Sequence, residues 1–175
     1  VDSHATAEEL RSRLAVAPDR LQVAHLGVDH ELFRPPAAEA VTAVRSAIGL
    51  GAEEDYVAFV GTLEPRKNIP ALIRGWIAAC AGRPRPPALV LAGGAGWDGE
   101  LDRVAAEVPA GLRLIRPGYL PLHQLPGLLG GACVVAYPSL GEGFGLPVLE
   151  GMACGAAVLT TRRLSLPEVG GDAVA

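Results

Sequence analysis

The sequence Cys133-Val-Val-Ala-Tyr137 is followed, after Pro138-Ser-Leu140, by Gly141-Glu-Gly-Phe-Gly-Leu-Pro-Val-Leu-Glu150. The short apolar run predicts a buried strand. The three alternating glycines predict a loop whose backbone adopts positive φ and approaches a ligand closely. Pro147 suits the first turn of a helix, whose free N–H groups and dipole favour an anion. The stretch therefore predicts a strand, a loop and a helix, with an anion site at the loop.

Two carboxylates bracket this predicted anion site. Glu142 lies in the loop, and Glu150 lies about two turns into the helix. Carboxylates accept hydrogen bonds from sugar hydroxyl groups. A phosphate flanked by polyols describes a nucleotide sugar, which is the ligand that these residues favour.

Short apolar runs alternate with helical patterns from residue 56 onward. The predicted strands are 56–60, 88–92, 112–115, 133–137 and 156–160, and the predicted helices are 70–81, 100–108, 122–129 and 146–154, with a capped turn at 165–168. Continuous apolar strands separated by helices are typical of a parallel sheet covered on both faces. We therefore expect a doubly wound, Rossmann-like α/β fold, in which ligands bind at the carboxyl ends of the strands.

The first 55 residues are less regular. Thr6 and Glu9 have the spacing of a capping box, which predicts a helix that starts there and ends before Pro18. Residues 21–24 are a short strand candidate, and 41–48 have helical periodicity. The prolines of 34–36 cannot continue a helix. We interpret 1–36 as a crossover segment and 37–175 as the ligand-binding domain.

Composition limits the class of protein. With 175 residues and 50% hydrophobic residues the chain can bury one good core. A net charge of −4 gives no electrostatic footprint for nucleic acid. Cys80, Cys133 and Cys154 lie in apolar contexts and are expected to be buried thiols in a reducing compartment. No apolar run is long enough to span a bilayer, so we expect a cytoplasmic protein, with peripheral membrane association open for the full-length protein.

The loop after the first predicted strand carries two cations. Arg66 and Lys67, the single lysine of the chain, precede Asn68, a good N-cap, and Pro70. Two cations beside a helix N-terminus predict a diphosphate site that needs no metal. A solvated Arg-Lys pair on a surface loop is the alternative.

Gly94, Gly96 and Gly99 match the G-x-G-x-x-G dinucleotide fingerprint, but the match is weak. The loop follows the second predicted strand rather than the first, and no acidic residue ends the next strand. Arg116 stands there instead and would suit a 2′-phosphate. A nicotinamide dinucleotide therefore stays open as a minor alternative.

An ordered set of motifs resembles the carboxy-terminal half of a retaining glycosyltransferase of family 4, in the GT-B fold. The motifs are Phe59-Val-Gly-Thr-Leu-Glu-Pro-Arg-Lys-Asn68, Val90-Leu-Ala-Gly-Gly94, Gly118-Tyr-Leu-Pro121, the stretch 138–150 with its two glutamates, and Ser165-Leu-Pro-Glu-Val-Gly-Gly-Asp172. Val28-Asp29 followed by Phe33 resembles the family's segment entering this half, although Leu26 stands where asparagine is common. The resemblance covers nearly the whole chain.

The resemblance implies a role for each matching position. Arg66 and Lys67 would hold the donor diphosphate, Glu142 would be the catalytic residue at the transferred sugar, and Glu150 would bind the ribose diol. The backbone N–H groups of the loop would contact sugar and phosphate. Tyr119 would border the nucleobase, and a core tyrosine with its hydroxyl at an edge is the alternative. The remaining binding positions are Gly61, Thr62, Gly94, Gly143, Phe144, Gly145 and Leu146. No metal and no other cofactor are expected, since the chain lacks Asp-x-Asp.

The resemblance also implies a second half. GT-B enzymes bind the donor in one Rossmann-like half and the acceptor in the other, and the family's amino-terminal half and closing helices are absent from this sequence. We expect a donor-binding half that moves a hexose, with mannose and glucose as candidates, to a glycan, lipid or small molecule. By itself the chain would be inactive. A non-catalytic nucleotide-binding module is the alternative, and the sequence does not identify the base, the sugar or the acceptor.

Overall fold

A computed structural model describes residues 1–175, and its centre is a five-stranded parallel sheet. The strands are β1 (Tyr56–Val60), β2 (Ala88–Ala92), β3 (Leu114–Gly118), β4 (Val134–Tyr137) and β5 (Val158–Thr160). Their spatial order is β3-β2-β1-β4-β5, and every neighbouring pair is parallel. The predicted doubly wound, Rossmann-like α/β fold is confirmed.

Seven α-helices surround the sheet. They are α1 (His4–Leu14), α2 (Ala38–Ala47), α3 (Ile69–Cys80), α4 (Leu101–Ala106), α5 (Leu125–Gly130), α6 (Leu146–Ala153) and α7 (Leu166–Gly170). α3 packs against α4, whereas α2 and α6 pack against α5. The two groups of helices match the two layers expected around a sheet whose strand order reverses.

The apolar runs form the core because both faces of the central strands are covered. Every residue of β2 is buried, and Tyr56, Ala58 and Phe59 of β1 are fully buried. A strand buried on both faces must be apolar at consecutive positions rather than at alternate ones. This requirement explains why the strands could be predicted from the sequence.

The strand order places the functional loops. The chain runs from β1 outward to β3 and then returns to β4 on the other side of β1. The loops after β1 and β4 therefore diverge from the topological switch point, where ligands bind in open α/β sheets.

The structure corrects three predictions in the elements. Helix α1 starts at His4 with Ser3 as its N-cap, because the Ser3 hydroxyl accepts from the Thr6 N–H. Residues 21–24 are not a strand, since their backbone bonds go to Pro18 and Val1 and not to a neighbouring strand. The predicted strand 112–115 is found at Leu114–Gly118, where its position at the sheet edge tolerates a proline.

The cysteine prediction is partly wrong. Cys80 and Cys154 are buried, as expected, but Cys133 is exposed. It precedes β4 and lines an open apolar groove between α3 and the sheet. Its thiol donates to the Tyr56 carbonyl at 3.0 Å.

The helices are short. The longest, α3, has 12 residues. None of them combines the length and the apolar character needed to cross a membrane.

Candidate functional site

The loops after β1 and β4 are joined directly. The Leu140 N–H donates to the Arg66 carbonyl at 2.8 Å, and the Ser139 hydroxyl oxygen lies 3.0 Å from the same carbonyl oxygen. The Asn68 side chain donates to the Pro138 carbonyl at 3.3 Å. These contacts join residues that are 70 and 73 positions apart in sequence.

Asn68 precedes α3, as predicted, but it does not cap the helix with its side chain. Its backbone is left-handed, with φ of 57°. Its amide is committed to the loop after β4. Asparagine tolerates this conformation better than most residues, so its role here is to shape the connection between the loops.

Glu142 lies between the two predicted cations. One carboxylate oxygen is 2.7 Å from the Lys67 ammonium, and the other is paired with the Arg66 guanidinium. Arg66 also pairs with Glu64 at 2.6 Å. The structure thus brings Arg66, Lys67 and Glu142 together, and both cations face carboxylates.

The two cations differ in exposure. Lys67 is buried, and 7% of its side chain is exposed, whereas 49% of the Arg66 side chain is exposed. The alternative of a solvated Arg-Lys pair is therefore wrong for Lys67. Burying an ammonium is costly unless it is paired and hydrogen-bonded, and its partners explain why it is tolerated.

Tyr137 and Ser139 complete the network around Lys67 and Glu142. The Lys67 ammonium donates to the Tyr137 hydroxyl, which donates to Glu142 at 3.1 Å. The Ser139 hydroxyl lies 2.6 Å from the same carboxylate oxygen. The Tyr137 ring is stacked on Phe59 in the core, so the network is anchored on β1 and β4.

The ionisation of this network follows from its contacts. Burial raises the pKa of Glu142, but hydrogen bonds from Lys67, Ser139 and Arg66 outweigh it and hold the pKa below its usual value. Burial lowers the pKa of Lys67, and Glu142 compensates only in part, with Arg66 adding repulsion. Glu142 is therefore firmly ionised, and the ammonium depends on it.

The glycine-rich loop turns its carbonyl groups toward the protein. The Ser165 hydroxyl donates to the Phe144 carbonyl at 2.6 Å and lies 3.0 Å from the Glu142 carbonyl oxygen. Ser3 and Thr6 donate to the carbonyl of Gly143 at 2.6 and 3.1 Å.

The N–H groups of this loop remain free. Those of Gly143, Phe144 and Gly145 donate to no acceptor in the protein. Helix α6 starts at Leu146, and φ of Gly145 is 115°, a value that favours glycine. Successive free N–H groups at a helix N-terminus favour an anion, and the binding role of Gly143 to Leu146 stays a prediction.

Glu150 lies on α6 and is only partly exposed. It belongs to no salt bridge, and burial raises the pKa of its carboxyl group. Burial and Glu142 raise the pKa of Tyr137, and the charge of Glu150 adds a smaller contribution in the same direction. A carboxylate in such surroundings has free acceptor positions for hydroxyl groups.

The other predicted binding residues line a neighbouring cavity. Gly61, Thr62, Gly94 and Tyr119 border a space of about 190 Å³ at the ends of β1, β2 and β3. Tyr119 is 78% exposed, so it is not a core residue. Val60, Ala92, Leu120 and Leu125 contribute apolar walls to the cavity.

The G-x-G-x-x-G pattern has a packing explanation at its central glycine. A Cβ on Gly96 would lie 2.0 Å from the Leu63 carbonyl oxygen, and one on Gly93 would lie 1.9 Å from the Gly61 oxygen. Gly94 and Gly99 meet nothing within 4 Å. Gly93 and Gly96 therefore let the loops after β1 and β2 lie side by side.

Four site residues were not predicted from the sequence. They are Glu64, Tyr137, Ser139 and Ser165. Tyr137 and Ser139 lie in the stretch 133–150. Their position at the end of a predicted buried strand was the signal that could have indicated a role in the site. Their partners are distant in sequence, except for Glu142.

A family model fits this arrangement. The model described as "Glycosyl transferases group 1" matches residues 41–175, which include every loop of the site. The chain belongs to the glycosyl transferases group 1 family. The family model does not cover the first 40 residues, which contain α1 and its contacts with the glycine-rich loop.

Curated relatives and solved structures agree with this assignment. The chain is 42% identical over 122 residues to O-antigen chain mannosyltransferase B of Escherichia coli, and this match covers 69% of the chain and 32% of the relative. It is 34% identical to D-inositol 3-phosphate glycosyltransferase of Mycobacterium avium, covering 97% of the chain and 40% of the relative. The chain thus spans less than half the length of these relatives.

The fold recurs in a crystal structure of Anabaena Alr3699/HepE in complex with UDP and glucose. The TM-score is 0.81 at 23% identity, and the match covers 96% of this chain and 45% of that one. This likeness shows the fold, a Rossmann-like sheet that matches less than half of that chain.

Proposed function

We propose that this chain is the carboxy-terminal, donor-binding half of a retaining glycosyltransferase of family 4. Its donor is a nucleoside-diphosphate hexose, with mannose and glucose as the candidates. The acceptor is a glycan, a lipid or a small molecule bound by another half of the protein. The relatives named for mannosyl transfer and for inositol 3-phosphate glycosylation, and HepE with its UDP and glucose, support this class.

The observation that carries the proposal is the meeting of two cations with three free backbone N–H groups at the switch point of the sheet. Lys67 uses two of its three ammonium protons, on Tyr137 and Glu142. Phosphate oxygens can accept hydrogen bonds from the remaining ammonium proton, from the free N–H groups of Arg66 and from the N–H groups of the loop. The cavity bordered by Tyr119 would take the base, and Glu150 would take the ribose.

The diphosphate has to compete with a carboxylate. Arg66 and Lys67 are both paired with Glu142 in the free chain. Donor binding would loosen Glu142 from the cations and leave its carboxylate beside the transferred sugar. We therefore expect moderate affinity for the nucleotide, with no divalent metal required.

Nucleoside diphosphates are expected to bind in the presence of a chelator, and Arg66→Ala is expected to weaken binding about tenfold. One charge-assisted hydrogen bond is worth about 1.5–3 kcal/mol, and the half-exposed position of Arg66 favours the lower end. Calorimetric titration of UDP, GDP and ADP, with NADP⁺ as a comparison, measures this.

Arg74→Ala is the matched control for that titration. Arg74 is similarly exposed and also pairs with a glutamate, but it lies on α3 outside the site. Equal affinities for the Arg66→Ala chain and the unmodified chain would contradict the assignment. So would loss of binding on chelation, or a preference for NADP⁺.

Glu150→Gln and Glu142→Gln are expected to differ in the ligand that they affect. Glu150→Gln should weaken nucleoside diphosphate and nucleotide sugar alike, because it is assigned to the ribose. Glu142→Gln should keep or raise the affinity for the free diphosphate, since it releases the cations, but should lose the added affinity of the sugar. The measurement is titration of both variants with both ligands, and equal losses throughout would disprove the division.

A further inference from the structure

Three potential metal ligands converge beside the glycine-rich loop, and none belongs to the site described above. His4 is the first residue of α1, His25 lies in the extended segment that follows the first helices, and Glu168 lies on α7. One ligand atom from each residue lies within 4.8 Å of the other two. Three separate parts of the chain thus contribute to one cluster.

The carboxylate of this cluster is held in position. One oxygen of Glu168 accepts from the His4 N–H at 2.8 Å, and the other accepts from the Ala5 N–H at 3.3 Å. A carboxylate oxygen has two acceptor positions, so each oxygen can keep its backbone bond and still bind a metal. The side chain therefore has one orientation before any ion arrives.

The two imidazole rings already face this carboxylate. The His25 Nε2 atom lies 2.5 Å from the Glu168 oxygen, and the rings of His4 and His25 are edge to face with centroids 5.5 Å apart. Half of the His25 side chain is exposed, so the ring can turn slightly to admit an ion. Binding needs the neutral ring with its proton on the nitrogen that faces away from the metal.

We propose that His4, His25 and Glu168 bind one zinc ion. Two imidazole nitrogens and one carboxylate oxygen are a common protein ligand set for zinc, which prefers four ligands in tetrahedral geometry. Both histidines are exposed, so water supplies the fourth ligand.

The ion would fix the segment that supports the donor loop. Ser3 and Thr6, on either side of His4, donate to the Gly143 carbonyl. The His25 ring lies 6.1 Å from the Phe144 ring. Zinc would therefore join α1, the His25 segment and α7 around the loop whose N–H groups are free, and it would stabilise the folded chain.

The test is titration of the metal-free 175-residue chain with zinc chloride, followed by calorimetry and by the thermal unfolding midpoint. Cys133→Ser serves as the background, because the exposed thiol is another zinc ligand. We expect one zinc ion per chain and a higher unfolding midpoint with zinc. Cobalt chloride should give the intense visible absorption of a tetrahedral site.

The four histidines of the chain provide matched controls. His4→Ala and His25→Ala should each weaken zinc binding by more than about tenfold, since loss of even an outer-shell partner has effects of that size. His30→Ala and His123→Ala, which remove exposed histidines elsewhere, should leave it unchanged. Circular dichroism shows that each variant is folded.

Two results would overturn the proposal. One is the absence of saturable zinc binding, which would leave the His25–Glu168 contact as a simple hydrogen-bonded pair. The other is zinc binding that survives in the His4→Ala and His25→Ala chains, which would place the ion elsewhere. Neither result would bear on the proposed donor site, because none of these variants alters a residue of that site.

Discussion

Lys67→Met is expected to lower the free energy of unfolding by about 3 kcal/mol at neutral pH. Breaking a buried ion pair by removing one partner costs about 3–5 kcal/mol, because the other charge stays buried. Glu142 would keep Arg66 and Ser139 as partners, which favours the lower end of the range. Methionine has a similar length and fills the space beside the Tyr137 ring, so the loss reports charge rather than volume. Urea unfolding measures it.

The double variant Lys67→Met/Glu142→Gln is the control for this prediction. Removing the second charge should restore part of the lost stability, and the coupling energy follows from the double-mutant cycle. A Lys67→Met chain as stable as the unmodified one would contradict the assignment of a buried pair. So would a loss that is the same with and without Glu142.

The same pair gives the chain a pH dependence with a definite sign. The pKa of Glu142 is held below its usual value of 4.5 in the folded chain. A carboxyl group of this kind contributes stability above its unfolded pKa, and that stability is lost as the pH falls through the folded pKa. The difference between the unmodified chain and Lys67→Met should therefore shrink when the pH is lowered from 4.5.

The sheet could be predicted from the sequence because the apolar pattern of each strand is local. A strand buried on both faces must be apolar at consecutive positions, and 88–92 and 56–60 are found at the predicted residues. The segment 21–24 has similar residues, yet it forms no strand because its backbone bonds go to Pro18 and Val1 and not to a neighbouring strand. Apolar character indicates a strand, but a strand also needs a neighbour.

The site could be predicted from the sequence only in part because its contacts are long-range. The glycines, the cations and both glutamates stand out by type and spacing. The pairing of Lys67 with Glu142 joins residues 75 positions apart, and neither motif indicates that it contacts the other. The burial of Lys67 and the role of Tyr137 follow from that pairing. The hydroxyl groups of Ser3, Thr6 and Ser165, which hold the loop carbonyl groups, come from segments that carry no motif of their own for this contact.

The 175-residue chain alone is expected to bind a nucleotide sugar and to transfer no sugar, whereas the full-length protein that we propose should transfer it with retention. In our proposal the chain supplies only the donor side of the cleft. Orientation of two reactants accounts for about 7–11 kcal/mol of a barrier, and this part is missing without an acceptor site. Exposed Arg66 and Tyr119 also leave the donor in contact with water. The measurement is incubation of the chain and of the full-length protein with donor and candidate acceptors.

The stereochemistry of the product separates the two parts of this prediction. NMR of the anomeric proton in the product assigns its configuration relative to the donor. In the proposed arrangement Glu142 and Glu150 both lie on the donor side of the cleft, so neither carboxylate is placed to activate an acceptor from the opposite face. This arrangement favours retention. Transfer by the 175-residue chain alone would show that no second half is needed, and an inverted product from the full-length protein would contradict membership of the retaining family 4.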